Sequence, residues 1–467
     1  MHNRKSFIYY RQHGDTPLEG AHAKRKPDVV SLPKKWRQSS VANWADGQHV
    51  FEVKSNENAD NNDTYYQLAS YIREVFGAQD TRNAVIGVTI CGRRMRVWIF
   101  DRSVAIGSEA IDVDVQPLLF IRIIASLASS RFGFDDTIQT IRDRRIVAIG
   151  PDTFILMKCI YRNAGINTRA TTVWIATKLG DTTNTRYVIK DSWRQSTREP
   201  EWRLLEYATK RLHVIQKQAK VAVYYNHQEL NTTMDVRMGL QPTDQELAYR
   251  IHTRLVMSTV GKRITDFANH RELLTVLRDA LGGLQQLTGI GICHHDVSIN
   301  NIVIGPTGRG VIIDLDYVVY IKDLQSDAKH HHRTGTGPFM AIHVLLGDEV
   351  HTHSHDIESL FYVFIWICCY HGRTAVSHDR PNLDEWTRGS LHGIAMLKAG
   401  MMNAQLFETS VLAAFHPEFD DLKGFARNFR GVMFKGDSGI LVKDVDYSGV
   451  DRVFRDALLK YQSYTTM

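Results

Sequence analysis

Three side chains near the middle of the chain have the types and spacing that phosphoryl transfer to a hydroxyl group requires. Asp296 and Asn301 lie five residues apart, and Asp314 follows an apolar stretch that ends at Ile313. One carboxylate can orient the attacking hydroxyl and accept its proton, while an amide oxygen and a second carboxylate can hold magnesium against nucleotide phosphates. We therefore expect Asp296 to be the base, Asn301 and Asp314 to be metal ligands, and ATP with Mg²⁺ (or Mn²⁺) to be the cofactors.

A lysine and a glutamate upstream have the chemistry that completes such a site. Lys190 ends the apolar stretch 187–190, which predicts a strand, and its ammonium can hold the α- and β-phosphates of ATP. Glu201 lies on the helix predicted over 199–211 and can pair with Lys190. Glu199 and Glu206 are alternatives on the same helix, and we expect Lys190 and Glu201 to be catalytic residues.

The elements that must position these residues change in kind along the chain. Strands are predicted at 173–176, 187–190 and 254–258, before the catalytic residues. Leucines at helical spacing between Leu273 and Leu287 predict a long helix that leads into Asp296. A strand-rich part followed by a helix-rich part, with the chemistry at the join, predicts an α+β fold of two lobes.

These features resemble the fungal-type protein kinase family. The spacing H-x-D-x-x-x-x-N at 294–301 is that of a protein kinase catalytic loop. The resemblance extends over 188–193, 254–258, 294–302, 333–342 and 355–361. It implies a two-lobed protein-kinase-like fold, a serine/threonine-type activity that depends on ATP and magnesium, and a protein substrate with a Ser or Thr acceptor.

The resemblance also implies roles for individual residues of the segments around the catalytic loop. His294 and Asp356 are implied to brace the loop from beneath. Thr336 is implied to contact the catalytic aspartate and the substrate hydroxyl, and Arg333 to belong to the activation segment.

The residues that should contact the nucleotide depart from the usual protein kinase pattern. Thr168 and Ala170 stand where the family has glycines in its phosphate loop, and Ser298 replaces the usual lysine of the catalytic loop. Backbone amides cradle phosphates best where no Cβ intrudes, so we expect these positions to bind the cofactor weakly. The alternative to an active kinase is therefore a pseudokinase scaffold with a degraded phosphate loop.

Three further departures concern the surroundings of the catalytic residues. His295 replaces an arginine that usually binds an activation-loop phosphate, although a histidine titrating near neutrality would restore part of that charge. Asp316 replaces the glycine of D-F-G. His343 replaces a glutamate whose ion pair normally anchors the activation segment.

The N-terminal third contains a second set of residues with catalytic chemistry. Asp28 follows a proline, Glu52 and Lys54 lie on a predicted strand over 49–54, and Gln67 and Tyr71 lie one turn apart on a predicted helix over 64–77. This pattern is similar to the PD-(D/E)xK nucleases, which implies that the two carboxylates share a divalent metal and that the lysine orients a water molecule.

Two other readings of that N-terminal pattern remain open. Glu52 and Lys54 would also fit an exposed strand whose charges simply face solvent, or a segment that the kinase family carries as part of its own architecture. A nucleic-acid partner is therefore possible through this module but is not what we expect.

Composition bounds the class of protein and its organisation. The chain has 467 residues with a net charge of +6, and its five cysteines form no C-x-x-C pair, which favours reduced thiols in an intracellular, cytoplasmic or nuclear setting. The longest apolar run, 360–370, is shorter than the roughly 20 residues that cross a bilayer, so no membrane partner is expected.

The predicted domains follow from these patterns. They are a basic tail over 1–27, an α/β module over 28–140, and a kinase-like domain over 145–467 with lobes at 145–260 and 261–467. Within the last lobe, His351, His353 and His355 alternate as residues on one face of a strand would. A metal site needs ligands held by fixed surroundings, and we expect an activation segment to be mobile, so we expect a solvated or substrate-facing loop here instead of a metal site.

Overall fold

The computed structural model of the chain forms two compact units. The described residues are 8–12, 16–20, 23–33, 42–129, 132–214, 219–241, 249–324, 335–373, 383–437, 440–442 and 444–462. The first unit draws on residues 1–198 and 225–257, and the second on 199–224 and 258–467. These units are defined by their compactness and are not the same as the domains predicted at 28–140 and 145–467, which remain a prediction.

The first unit begins with a seven-stranded sheet whose neighbours run β1-β2-β3-β4-β5-β6, with β7 paired to β5. Its strands and two helices are β1 (Ile8–Gln12), β2 (Val29–Pro33), β3 (His49–Lys54), α1 (Asn62–Ala78), β4 (Val85–Cys91), β5 (Arg94–Phe100), β6 (Ala105–Gly107), β7 (Ile111–Asp112) and α2 (Pro117–Ser129). Strands β3 and β4 are parallel and α1 connects them, whereas β4 and β5 form an antiparallel hairpin. The predicted strand at 49–54 and helix at 64–77 are therefore confirmed.

A second seven-stranded sheet in the same unit carries Lys190. Its neighbours run β13-β14-β12-β11-β10-β9-β8, so β12 is an inner strand. The strands, with one short helix, are β8 (Ile138–Ile141), β9 (Arg144–Ile149), β10 (Asp152–Arg162), β11 (Thr172–Lys178), β12 (Arg186–Gln195), β13 (Tyr224–Thr232), α4 (Thr233–Val236) and β14 (Arg250–Met257). Strands β8, β9 and β10 extend the sheet beyond the strands that the sequence predicted.

The second unit is mostly helical. Its helices are α3 (Glu201–Val214), α5 (His270–Gly289), α6 (Ile342–Leu346), α7 (His353–Tyr370), α8 (Leu391–Met401), α9 (Ala404–Leu406), α10 (Lys423–Met433) and α11 (Tyr447–Gln462). Its short strands are β15 (Lys262–Arg263), β16 (Ile292–Cys293), β17 (Ile302–Ile304), β18 (Gly310–Ile312), β19 (Val319–Tyr320), β20 (Phe434–Lys435) and β21 (Ile440–Leu441). The predicted α+β class is confirmed, and no helix in the described ranges is both long and apolar enough to cross a membrane.

Local sequence explains where the helices around the site begin and which side they bury. The side chain of Asn269 caps α5 by accepting the N–H of Glu272, and the leucines of that helix are buried. Thr352 and His355 form reciprocal bonds at the start of α7. The strand-face arrangement for His353 and His355 is therefore wrong, because this capping makes both residues part of a helix.

Candidate active site

Asp296 lies in the loop 294–301 between β16 and β17 of the second unit, and it is buried. Thr336 Oγ1 donates to its Oδ1 at 2.8 Å, and Asn301 Nδ2 donates to its Oδ2 at 3.1 Å and to its carbonyl oxygen at 2.8 Å. Three residues that the sequence assigned to one site are thus brought within hydrogen-bond distance. Since the amide nitrogen of Asn301 faces Asp296, its amide oxygen is the atom suited to bind a metal.

Asp356 supports the catalytic loop from α7. Its Oδ2 accepts the N–H of His294 at 2.8 Å and its Oδ1 accepts the N–H of His295 at 3.0 Å. Although burial alone would raise the pKa of Asp356, the hydrogen bond from His351 and the electrostatic effect of that imidazole hold the pKa below its usual range. The carboxylate therefore stays ionised and fixes two successive backbone amides of the loop.

His294 connects the catalytic loop to the strand that precedes Asp314. Its Nε2 donates to the carbonyl of Ile313 at 3.1 Å, and its Nδ1 accepts the N–H of Asp296 at 3.3 Å. These two bonds are satisfied together by a neutral ring with its proton on Nε2. The implied bracing positions of His294 and Asp356 both have contacts that suit that role.

His295 occupies the position of the missing arginine and is not charged. Its ring stacks on that of His351 with centroids 3.9 Å apart, and its Nε2 donates to the carbonyl of His351 at 3.1 Å. Burial lowers the pKa of His295 to about 3, so the idea that this residue restores charge near neutrality is wrong. The site has a stacked imidazole pair here that sequence reasoning missed.

Asp314 follows β18 and adopts a left-handed backbone conformation with φ of 65°. A φ of this sign is uncommon outside glycine and concentrates at functional sites. Pairing of Ile302 with Ile312 in β17 and β18 sets the register that brings Asn301 and Ile313 together, with the Ile313 N–H donating to the Asn301 carbonyl at 2.9 Å. The two predicted metal ligands therefore lie on adjacent chain segments.

Two further carboxylates lie beside Asp314. One ligand oxygen each from Glu201, Asp314 and Asp316 falls within 4.8 Å of the others. Glu201 begins α3, is buried, and accepts the N–H of Leu315 at 3.1 Å. Carboxylate and amide oxygens are the donors that magnesium prefers, so Asn301 and Asp314 fit the implied ion, and Asp316 adds a carboxylate whose part the sequence did not reveal.

Ser298 and His343 lie in the same unit as Asp296. Ser298 is buried, and its carbonyl accepts the N–H of Asn301 at 3.0 Å, which closes the turn of the loop. His343 pairs with Asp348 at 3.0 Å. Arg333 lies outside the described residues.

In the first unit, Lys190 is buried on β12, opposite Val173 of β11 and Leu255 of β14. Asp191 follows it and forms an ion pair with Arg254 at 2.8 Å. Arg254 also pairs with Asp135 at 2.7 Å, in the connection that precedes β8. This buried network fixes the backbone beside Lys190.

The loop 163–171 connects β10 to β11, contains the predicted phosphate-loop residues 165–171 and satisfies several of its own amides. The N–H of Gly165 bonds Asn163 Oδ1 at 2.7 Å, and the N–H of Ala170 bonds Thr168 Oγ1 at 3.0 Å. Ala170 has a φ of 46°, a conformation that glycine adopts more readily. The side chains of Asn163 and Thr168 therefore stabilise the loop, and in this conformation the amides of Gly165 and Ala170 are engaged within it.

The tip of the same loop packs on the N-terminal sheet of its unit. Ile166 contacts the apolar cluster that includes Phe76. Arg102 donates to the carbonyl of Gly165 at 3.3 Å, and Arg250 donates to Asn167 Oδ1 at 3.0 Å. The loop is thus held by protein contacts that the sequence gave no signal for.

The five N-terminal residues of the second predicted site also come together. Lys54 Nζ lies 2.5 Å from Glu52 Oε1 and donates to Gln67 Oε1 at 3.1 Å, while Gln67 Nε2 donates to the Tyr71 hydroxyl at 2.8 Å. Asp28 Oδ2 accepts the N–H of Val53 at 2.7 Å.

Glu52 is only 1% exposed, so the reading in which both strand charges face solvent is wrong. Burial raises the pKa of Glu52, and the charge of Asp28 raises it further, against the opposing effect of Lys54. Burial also raises the pKa of Tyr71 to about 12.

Comparison with known proteins establishes the class. The fungal protein kinase family model matches residues 26–368, and the chain belongs to that family. Membership confirms the resemblance and the protein-kinase-like fold, and the match includes both Asp28 and Asp314.

A solved structure described as that of vaccinia related kinase 3 is similar at 12% identity, with 68% of this chain and 90% of that chain covered and a TM-score of 0.44. No curated protein matches the sequence.

Proposed function

We propose that this chain is an active protein kinase that transfers the γ-phosphoryl group of ATP to Ser or Thr hydroxyls of a protein substrate. The observation that carries the proposal is the set of bonds around Asp296, whose two carboxylate oxygens are oriented by Thr336 and Asn301. A carboxylate fixed in this way can accept the proton of an acceptor hydroxyl as it attacks phosphorus.

The remaining roles follow from the donor chemistry. Asn301 and Asp314 would hold Mg²⁺ or Mn²⁺, which supplies charge neutralisation for the nucleotide phosphates. Lys190 would hold the α- and β-phosphates with Glu201 as its partner, and Thr168, Ala170 and Ser298 would line the nucleotide site, as the sequence indicates. Five free thiols suit a reducing compartment, cytoplasmic or nuclear.

The acceptor assignment is tested by incubating the wild-type protein with γ-labelled ATP, Mg²⁺ and a mixed protein acceptor, followed by phosphoamino acid analysis. We expect label on serine or threonine, because Thr336 stands where it can orient an aliphatic hydroxyl toward Asp296. Label on tyrosine would contradict the acceptor class. Nucleotide binding without transfer would favour the pseudokinase scaffold, which the engaged amides of the phosphate loop would explain.

A metal-dependent activity on DNA is a second candidate function, and convergence of the N-terminal residues favours it. Asp28 and Glu52 would hold a divalent cation, and Lys54 lies close enough to orient a water molecule toward a phosphodiester.

This second candidate predicts that the wild-type protein cleaves DNA with Mn²⁺ or Mg²⁺ and that Glu52→Gln loses the activity by about 100-fold or more, as removal of one catalytic group does. Glu109→Gln, a change at an exposed glutamate of the same unit, is the matched control and should cleave normally. If neither ion supports cleavage by the wild type, this candidate is removed and the module is a structural part of the kinase.

A further inference from the structure

Helix α8 carries a fully buried lysine. Lys398 has 0% exposed surface, in the sequence LHGIAMLKAGM, where it is the one Lys or Arg and no Asp or Glu occurs. Removing an ammonium from water is costly unless its hydrogen bonds and charge are compensated inside the protein. The groups that bind the buried ammonium therefore show which part of the protein Lys398 holds in place.

The ammonium of Lys398 is caged by two rings and two carbonyls. Its Nζ lies 4.0 Å from the ring centroid of Tyr362 and 4.9 Å from that of Trp386. It donates to the carbonyls of Pro338 and Met340 at 2.7 and 2.8 Å. Cation–π attraction strengthens in a desolvated site, so the cage favours the charged form, although burial lowers the pKa of Lys398.

The two carbonyls belong to the end of the activation segment. They lie two and four residues after Thr336, whose hydroxyl bonds Asp296. A second anchor follows at once, because Glu358 Oε1 accepts the N–H of Ile342 at 2.9 Å and the hydroxyl of Tyr362 at 2.6 Å. The ammonium of Lys398 binds the carbonyls of Pro338 and Met340, and the carboxylate of Glu358 binds the amide of Ile342. The turn at 338–342 is therefore held at both ends.

The usual ion-pair anchor of this segment is missing, because His343 replaces the glutamate and pairs instead with Asp348 at 3.0 Å. We propose that Lys398 is a positioning residue for phosphoryl transfer, which holds 336–340 so that Thr336 reaches Asp296 and the protein acceptor docks beside it. The proposal rests on the proposed kinase function, since the acceptor is the substrate of that reaction.

The test compares Lys398→Met with Lys423→Met, a change at a partly exposed lysine of the same unit that pairs with Asp420. We expect Lys398→Met to lower kcat/KM for the protein acceptor about 10- to 100-fold and to leave the KM for ATP within about twofold, because positioning acts on one substrate. Lys423→Met should match the wild type, and Lys398→Arg, which keeps the cation, should recover part of the loss.

Amide hydrogen exchange tests the same proposal without requiring activity. In Lys398→Met, the amides of Phe339, Met340 and Ile342 should exchange at least about 10-fold faster, while those of the middle of α7 keep their wild-type rates. If the Met variant does not fold, Lys398→Arg is measured in its place, with a smaller change of the same pattern.

Unchanged exchange at 339–342 would overturn the proposal, and so would an equal fall of every kinetic constant with uniformly faster exchange. A wild-type protein that transfers no phosphate to any acceptor would contradict the proposed function. The exchange pattern would still decide whether Lys398 holds the segment.

Discussion

Asp296→Asn is expected to lower kcat by about 10²- to 10⁴-fold, the range that a positioned general base contributes. Asn is isosteric with Asp and can still accept the hydrogen bond from Thr336, and Asn301 keeps its bond to the backbone carbonyl of residue 296, so the backbone of the loop is retained while the base is lost. The measurement is steady-state transfer of labelled phosphate to a protein acceptor at saturating ATP and Mg²⁺.

The matched control for this change is Asp420→Asn, at a carboxylate on the surface of the same unit that pairs with Lys423. It should retain the wild-type rate, and both variants should melt within a few degrees of the wild type. Full activity in Asp296→Asn would show that this carboxylate is not the base.

Arg254→Met is expected to destabilise the protein by about 3–5 kcal/mol, the cost of breaking a buried charge network by removing one partner. Arg254 is fully buried and pairs with Asp191 at 2.8 Å and with Asp135 at 2.7 Å. Both carboxylates would remain buried without their cation. The measurement is the urea dependence of unfolding at pH 7, with Arg186→Met as the control at an exposed position of β12.

The pH dependence of this loss has a defined sign. Burial raises the pKa of Asp191, but Arg254 outweighs it and holds the pKa below the usual range. A group whose pKa is lower in the folded state stabilises the protein fully at pH values above its unfolded-state pKa, which is about 4 for Asp. That stabilisation is lost as the pH falls from the unfolded-state pKa through the folded-state pKa. The difference between wild type and Arg254→Met should therefore shrink below about pH 4. A constant difference down to pH 3 would contradict the network's role.

The contacts within the catalytic loop could be predicted from sequence because their chemistry is local. Asp296 and Asn301 are five residues apart, and a loop of that length allows their direct bond. Periodicity likewise predicted β3 and α1, since alternation and helical spacing are properties of a short stretch of chain.

Contacts between distant segments could not be predicted in this way. A lysine in an apolar helix is unusual, but nothing in the segment 391–401 indicates that Lys398 donates to the carbonyls of Pro338 and Met340. The presence of Thr168 and Ala170 where the family has glycines predicted weaker binding of the nucleotide phosphates. The packing of Ile166 on the N-terminal sheet required knowledge of the fold.

The central claim is that Asp314, with Asn301, holds the ion that allows γ-phosphoryl transfer. The most direct measurement is incorporation of γ-label from ATP into a protein acceptor by the wild type and by Asp314→Asn, at equal concentrations and with Mg²⁺ present. The proposed function predicts incorporation by the wild type that rises with Mg²⁺ and falls to background in the variant. Equal incorporation by both proteins, or none by the wild type with Mg²⁺ or Mn²⁺, would contradict it.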